Sequence, residues 1–175
     1  MSKVAHNITL LIDSSNFGGI ETHVANLAKG LYQQGHNVEI ILMKSYGFHP
    51  VFEENEFLRS ILVKLNGSLF NLYYALKHSK SDVIHTHGYK AGIIGRSLAK
   101  LLSKTVVSTF HSGEKGNFKV QFYCWLDRFT AIRTPCISVS KEISNKVQLN
   151  DVTGAGKKRH FIFTSVNART GQGFF

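Results

Sequence analysis

The feature that most constrains this chain is an alternation of short, apolar, β-rich runs with stretches whose apolar residues recur at helical spacing. Residues 7–13 form the first β-rich run. Ile20, Val24, Leu27, Ala28 and Leu31 then share one helical face before a stop at Gly35. Residues 38–43 read as a second buried strand, residues 44–66 as a mixed loop, and Leu69, Leu72, Tyr73 and Leu76 as the next helical stripe. Strand is expected at 82–86, helix at 91–102 and strand at 105–110. Phe118, Phe122, Trp125, Leu126 and Phe129 mark an aromatic helix. A strand at 136–139, a helix opened by Ser140 as N-cap and a last strand at 160–164 complete the pattern. Buried strands alternating with amphipathic helices require right-handed βαβ crossovers. The expected fold is therefore α/β: a doubly wound, mostly parallel Rossmann-like sheet with helices on both faces, in one domain over residues 1–175.

Composition narrows the functional classes. With 43% hydrophobic residues, two prolines and no low-complexity tract, the chain reads as globular. Runs such as ITLLI and VEIILM fall far short of the ~20 residues that span a bilayer. The N-terminus has no small-residue cleavage site after its apolar run, so a cytoplasmic protein is expected. Cys124 (FYCWL) and Cys136 (CISV) sit in apolar patterns and are expected as buried free thiols. The net charge of +10 is unevenly placed. Residues 1–87 carry seven basic and seven acidic side chains, whereas residues 88–175 carry fourteen and four. The second half should present a cationic face, suited to anionic partners. Lys157-Lys158-Arg159 has no recognised nucleic-acid module around it, and no specific nucleic-acid binding is expected.

In doubly wound sheets ligands bind beyond the carboxyl ends of the strands, where strand order reverses. Three post-strand turns stand out. The first, Asp13-Ser14-Ser15-Asn16-Phe17-Gly18-Gly19-Ile20-Glu21-Thr22-His23, is a small-residue loop entering a helix. Paired glycines permit close backbone approach and the helix start favours an anion such as phosphate; a tight turn with no ligand fits the same residues. The loop is not GxGxxG, and Glu39 lies inside the second strand rather than at its end, which disfavours a dinucleotide. The other two turns are His85-Thr86-His87-Gly88-Tyr89-Lys90 and Phe110-His111-Ser112-Gly113-Glu114-Lys115. His85 and His87, two apart, share a strand face, and His111 could converge on them from a neighbouring strand. Zinc uses such imidazoles, but nothing in the sequence identifies further ligands, so neither metal nor cofactor is expected. His85 reads as a hydrogen-bonded, partly buried side chain and His111 as the better functional candidate. No GxSxG, P-loop or HExxH occurs.

The segments GGIETHVANLAKGLYQQGHNVEIIL, DVIHTHGYKAGIIGRSLAKLLSKTVVSTFHSG and CISVSKEISNKV, spread in this order over residues 8–149, resemble the N-terminal half of family 4 retaining glycosyltransferases of the GT-B architecture. The resemblance implies transfer of a sugar from a nucleotide diphosphate sugar to a glycan or lipid-linked acceptor, without a metal. It implies that Gly18 and Gly19 lie against the donor diphosphate. It also implies that His111, the histidine of the TFH turn, sits in the active site and places the reacting groups. Asn16, Glu21, His87 and Ser112 are expected to line the acceptor side, with residues 44–66 as an acceptor wall. CISVS is expected to be architectural. The family's second domain supplies the nucleotide pocket and two glutamates separated by seven residues, a spacing absent here. This chain is therefore expected to lack the donor domain and to be inactive alone. Peripheral contact with an anionic membrane is expected from the charge of its second half. The alternatives are a non-catalytic glycan- or partner-binding module of GT-B-like fold, or half of a sugar-nucleotide epimerase.

Overall fold

The computed structural model describes residues 4–13, 18–45, 47–111, 118–132, 134–139 and the backbone of 161–163. Strands β1 (Asn7–Ile12), β2 (Asn37–Leu42), β3 (Leu62–Lys64), β4 (Val83–His87), β5 (Thr105–Phe110), β6 (Cys136–Ser138) and β7 (Phe161–Phe163) form one sheet in the order β3-β2-β1-β4-β5-β6-β7. Every neighbouring pair is parallel. Helices α1 (Gly19–Gln33), α2 (Pro50–Glu53), α3 (Glu56–Ser60), α4 (Leu69–His78), α5 (Tyr89–Leu101) and α6 (Phe118–Thr130) make the connections.

The period of two along the strands sorts their side chains into two cores. Leu10, Ile12, Ile40 and Leu42 point to one face, where Val24, Ala25 and Ala28 of α1, Phe52 of α2 and Leu58 of α3 cover them. Leu11, Ile41 and Ile84 point to the other, beneath Leu72 and Leu76 of α4 and Ala91 and Ala99 of α5. These strands are buried on both faces, which is why they read as continuous apolar runs.

Two expectations need correction. Residues 44–66 are not a loop: they hold α2, α3 and β3, closed by an antiparallel bridge between Lys44 and Asn66. Pro50 opens α2 and the Asn55 side chain caps α3 by accepting the Leu58 N–H at 3.0 Å. Each element is too short to display a period, and Phe52 and Leu58 are what anchor them in the core. The aromatic helix expected from Phe118 to Phe129 is present as α6, with Phe118, Phe122, Trp125 and Phe129 facing outward. The helix docks by its opposite side, through Asp127 against Arg96 of α5 and through Tyr123 stacked on Tyr89. Finally, Cys136 is a buried thiol outside any disulfide, but Cys124 is only half-buried, because it lies on the flank of this helix. The helix expected from Ser140 lies outside the described residues, as do Asn16 and Ser112.

Candidate active site at the switch point of the sheet

Strand order reverses between β1 and β4. From β1 the chain moves outward to β2 and β3, and from β4 it moves the other way to β5, β6 and β7. Ile12, the last residue of β1, pairs with His87, the last residue of β4, so the turns leaving both strands open at one place. An ion pair between Lys90 and Asp13 (3.0 Å) ties the two turns together. Gly88 begins α5 with φ of 88°, a left-handed conformation that L side chains rarely adopt, and a Cβ there would sit 3.9 Å from the Asp13 carbonyl oxygen.

The loop after β1 ends in Gly18 and Gly19, which start α1. Glu21 turns its buried carboxylate back to accept the Gly18 N–H at 2.9 Å, fixing the entry of the helix. Glu21 thus acts on the helix start itself. Gly18 has an extended backbone (φ −157°) open to any residue, and a Cβ on Gly19 would meet nothing within 4 Å. Neither glycine is demanded by the turn. Among the described residues the space beside Gly19 is open, next to the first-turn N–H groups that have no intrahelical acceptor, whereas a Cβ on Gly18 would touch the Glu21 carboxylate at 3.5 Å.

Four histidines gather beside that helix start. His87 is fully buried, its ring 4.3 Å from that of His85 on the same strand face. His87 Nδ1 and His111 Nε2 share a hydrogen bond of 3.1 Å, and His85 Nε2 shares one of 2.7 Å with the Thr109 hydroxyl. The convergence expected of His85, His87 and His111 is therefore present. The sequence reading missed His23. It lies on α1 four residues after Gly19, and its ring packs edge-on against His111 at 4.9 Å and near His87 at 5.7 Å. The signal was the helical step from Gly19 to His23, which brings that imidazole back over the helix start.

Burial keeps all four rings neutral at pH 7. Desolvation lowers His85 to about 4 and His111 to about 3, drives His87 well below its ordinary value, and lowers His23; neighbouring histidines repel a proton from the first three. His87 Nε2 is buried with no hydrogen-bond partner among the described residues. One nitrogen from each of His23, His87 and His111 lies within 4.8 Å of the others, so these three are the described residues that could hold a metal ion. His87 and His111 already share a hydrogen bond, and among the described residues no carboxylate or thiol joins the set. The arrangement can offer uncharged hydrogen-bond donors and acceptors to a polar ligand while the helix start faces an anion.

A parallel, doubly wound sheet with a polar cluster at its switch point is the architecture of one lobe of a GT-B glycosyltransferase. Residues 17–152 match the family model described as Glycosyltransferase Family 4, and the chain belongs to that family. Over 76 residues it is 41% identical to a UDP-Gal:alpha-D-GlcNAc-diphosphoundecaprenol alpha-1,3-galactosyltransferase of Escherichia coli, covering 40% of this chain and 19% of that protein. Its fold is similar to that of Anabaena HepE, solved with UDP-glucose (TM-score 0.69, 15% identity, 91% of this chain and 43% of that one). It is likewise similar to sucrose-phosphate synthase from Thermosynechococcus elongatus (TM-score 0.63, 14% identity, 91% and 47%). The chain thus spans under half the length of these structures. No helix among the described residues is long and apolar enough to cross a membrane.

Proposed function

We propose that this chain is the acceptor-side lobe of a retaining glycosyltransferase that moves a sugar from a nucleotide diphosphate sugar to a lipid-linked glycan acceptor. The observation that carries this reading is the meeting of neutral His87, His111 and His23 with the open Gly18-Gly19 helix start at the switch point. Family membership supports sugar transfer, and the name of the Escherichia coli relative, with its diphosphoundecaprenol acceptor, supports a lipid-linked one.

In this reading the diphosphate approaches Gly18 and Gly19, where a side chain would intrude. As it leaves, positive charge builds on the sugar ring, and the site must stabilise both. His111, lowered to about 3, is too weak a base to accept a proton efficiently near pH 7. Its role is to hydrogen-bond the reacting sugar and acceptor hydroxyls, its orientation set by His87 and His23. The remainder of the donor site belongs to a second lobe outside this chain, which alone is inactive. The enzyme works at the cytoplasmic face of a membrane.

The test is His111→Ala in the full-length enzyme, assayed by mass spectrometry of the glycosylated acceptor with a panel of nucleotide sugars. Misplacing the reacting groups should cost about a hundredfold in turnover with an unchanged melting curve. Wild-type turnover in that variant would take His111 out of the site. A donor sugar altered in the absence of acceptor would mark an epimerase.

A further inference from the structure

One face of α6 is turned away from any core. Phe118 (85% exposed), Phe122 (51%), Trp125 (56%) and Phe129 (59%) all point to solvent. At about 100° per residue, the four fall within an arc of roughly 60°. Phe122, Trp125 and Phe129 stack in succession, with centroids 6.0 and 5.6 Å apart, so the rings form a continuous ridge. Ile132, just past the helix, is exposed as well. The helix cannot roll to hide the ridge, because its inner side is fixed. Arg96 is bonded there to the Asp127 carboxylate, to the Asp127 carbonyl oxygen (2.7 Å) and to the Thr130 hydroxyl (2.7 Å).

The charges on α6 point to what covers the ridge. Lys119 and Arg128 lie on its two flanks, each about 90° from its centre. The helix has one acidic residue, Asp127, and that is buried against Arg96. The outward surface is therefore aromatic in the middle and cationic at both edges, within the half of the chain that holds fourteen basic and four acidic residues. Aromatic rings settle at the headgroup level of a bilayer, and long cationic side chains bordering them reach lipid phosphates.

We propose that α6 is an interfacial anchor, lying in the plane of an anionic membrane with its aromatic ridge among the headgroups and Lys119 and Arg128 on lipid phosphates. The anchor deepens the preceding reading, resting on it only for its purpose, which is to hold the site where a lipid-linked acceptor is presented. Binding to vesicles that contain neither donor nor acceptor tests it separately: transfer could be absent with the anchor intact, or present without it.

Trp125 is the sole tryptophan, so its emission reports on the ridge directly. With phosphatidylglycerol-containing vesicles its emission should shift to the blue, brominated lipid should quench it, and the protein should co-sediment. Lys119→Gln with Arg128→Gln should weaken binding about thirtyfold. Phe122→Ser with Phe129→Ser should abolish it while lowering the melting temperature only slightly, since both side chains are more than half exposed and lie outside the core. Emission unmoved by phosphatidylglycerol vesicles overturns the proposal. So does a lipid-free blue shift that grows with protein concentration, which would assign the ridge to a second copy of the chain.

Discussion

The histidine cluster makes the molecule sensitive to acid in a window set by its own burial. An unfolded histidine titrates near 6.5, whereas His85 in the fold titrates near 4. Between those values the unfolded chain binds a proton that the native one refuses, so stability is full above pH 6.5 and falls as pH drops toward 4. His85 alone accounts for a loss of about 3 kcal/mol across that window, and its neighbours add to it. Urea midpoints measured from pH 7.5 to 4.5 should stay level down to about pH 6.5 and decline below it, and His85→Gln, which retains a partner for Thr109, should flatten the decline. Midpoints level across the window would mean that these rings are solvated. This cluster was half legible in sequence. His85, His87 and His111 stand at strand ends, where register alone brings them together, but His23 is on a helix, and only packing of α1 against the sheet brings it in.

At the scale of elements, α5 and α6 are joined by a buried ion pair whose members no motif marks. Arg96 holds Ser108 of β5 at 2.8 Å with one nitrogen and Asp127 and Thr130 of α6 with another, so one guanidinium fastens two helices to the sheet. Burial pushes the Asp127 carboxyl up while Arg96 pulls it down. Asp127→Ala leaves that guanidinium uncompensated and should destabilise the protein by about 3–5 kcal/mol, measured by urea unfolding. A loss under about 1 kcal/mol would show that water reaches Arg96. The long strands and helices were readable because two-sided burial writes a continuous apolar run and one-sided burial writes a 3.6-residue stripe. On α6 the hydrophobic spacing marked the helix but not which of its faces packs inward. A core residue and an exposed aromatic leave the same letter in the sequence. What turns the aromatic face of α6 outward is the interior Asp127, which pairs with a residue 31 positions away. Residues 44–66 were unreadable for another reason, since α2, α3 and β3 span only four, five and three residues.

At the scale of the whole molecule, the open side of the switch point decides what this chain can do by itself. A nucleotide diphosphate sugar carries two negative charges, and the groups the described residues bring to the site are neutral imidazoles and one helix start; Lys90, the nearby cation, is paired with Asp13. A helix terminus favours an anion by only about 0.3–1 kcal/mol when exposed, far from enough to hold a donor. On the proposed reading, the cations for the diphosphate come from outside the described residues. Calorimetric titration of UDP-sugars into the 175-residue chain should therefore give a Kd of about 1 mM or weaker, near −4 kcal/mol. The full-length enzyme should bind the same donor at least a hundredfold more tightly, and Gly19→Val in that enzyme should remove most of the gain, because the diphosphate then meets a side chain in space that is now open. Micromolar binding by this chain alone would place the donor pocket in this lobe and turn the assignment of the two lobes around.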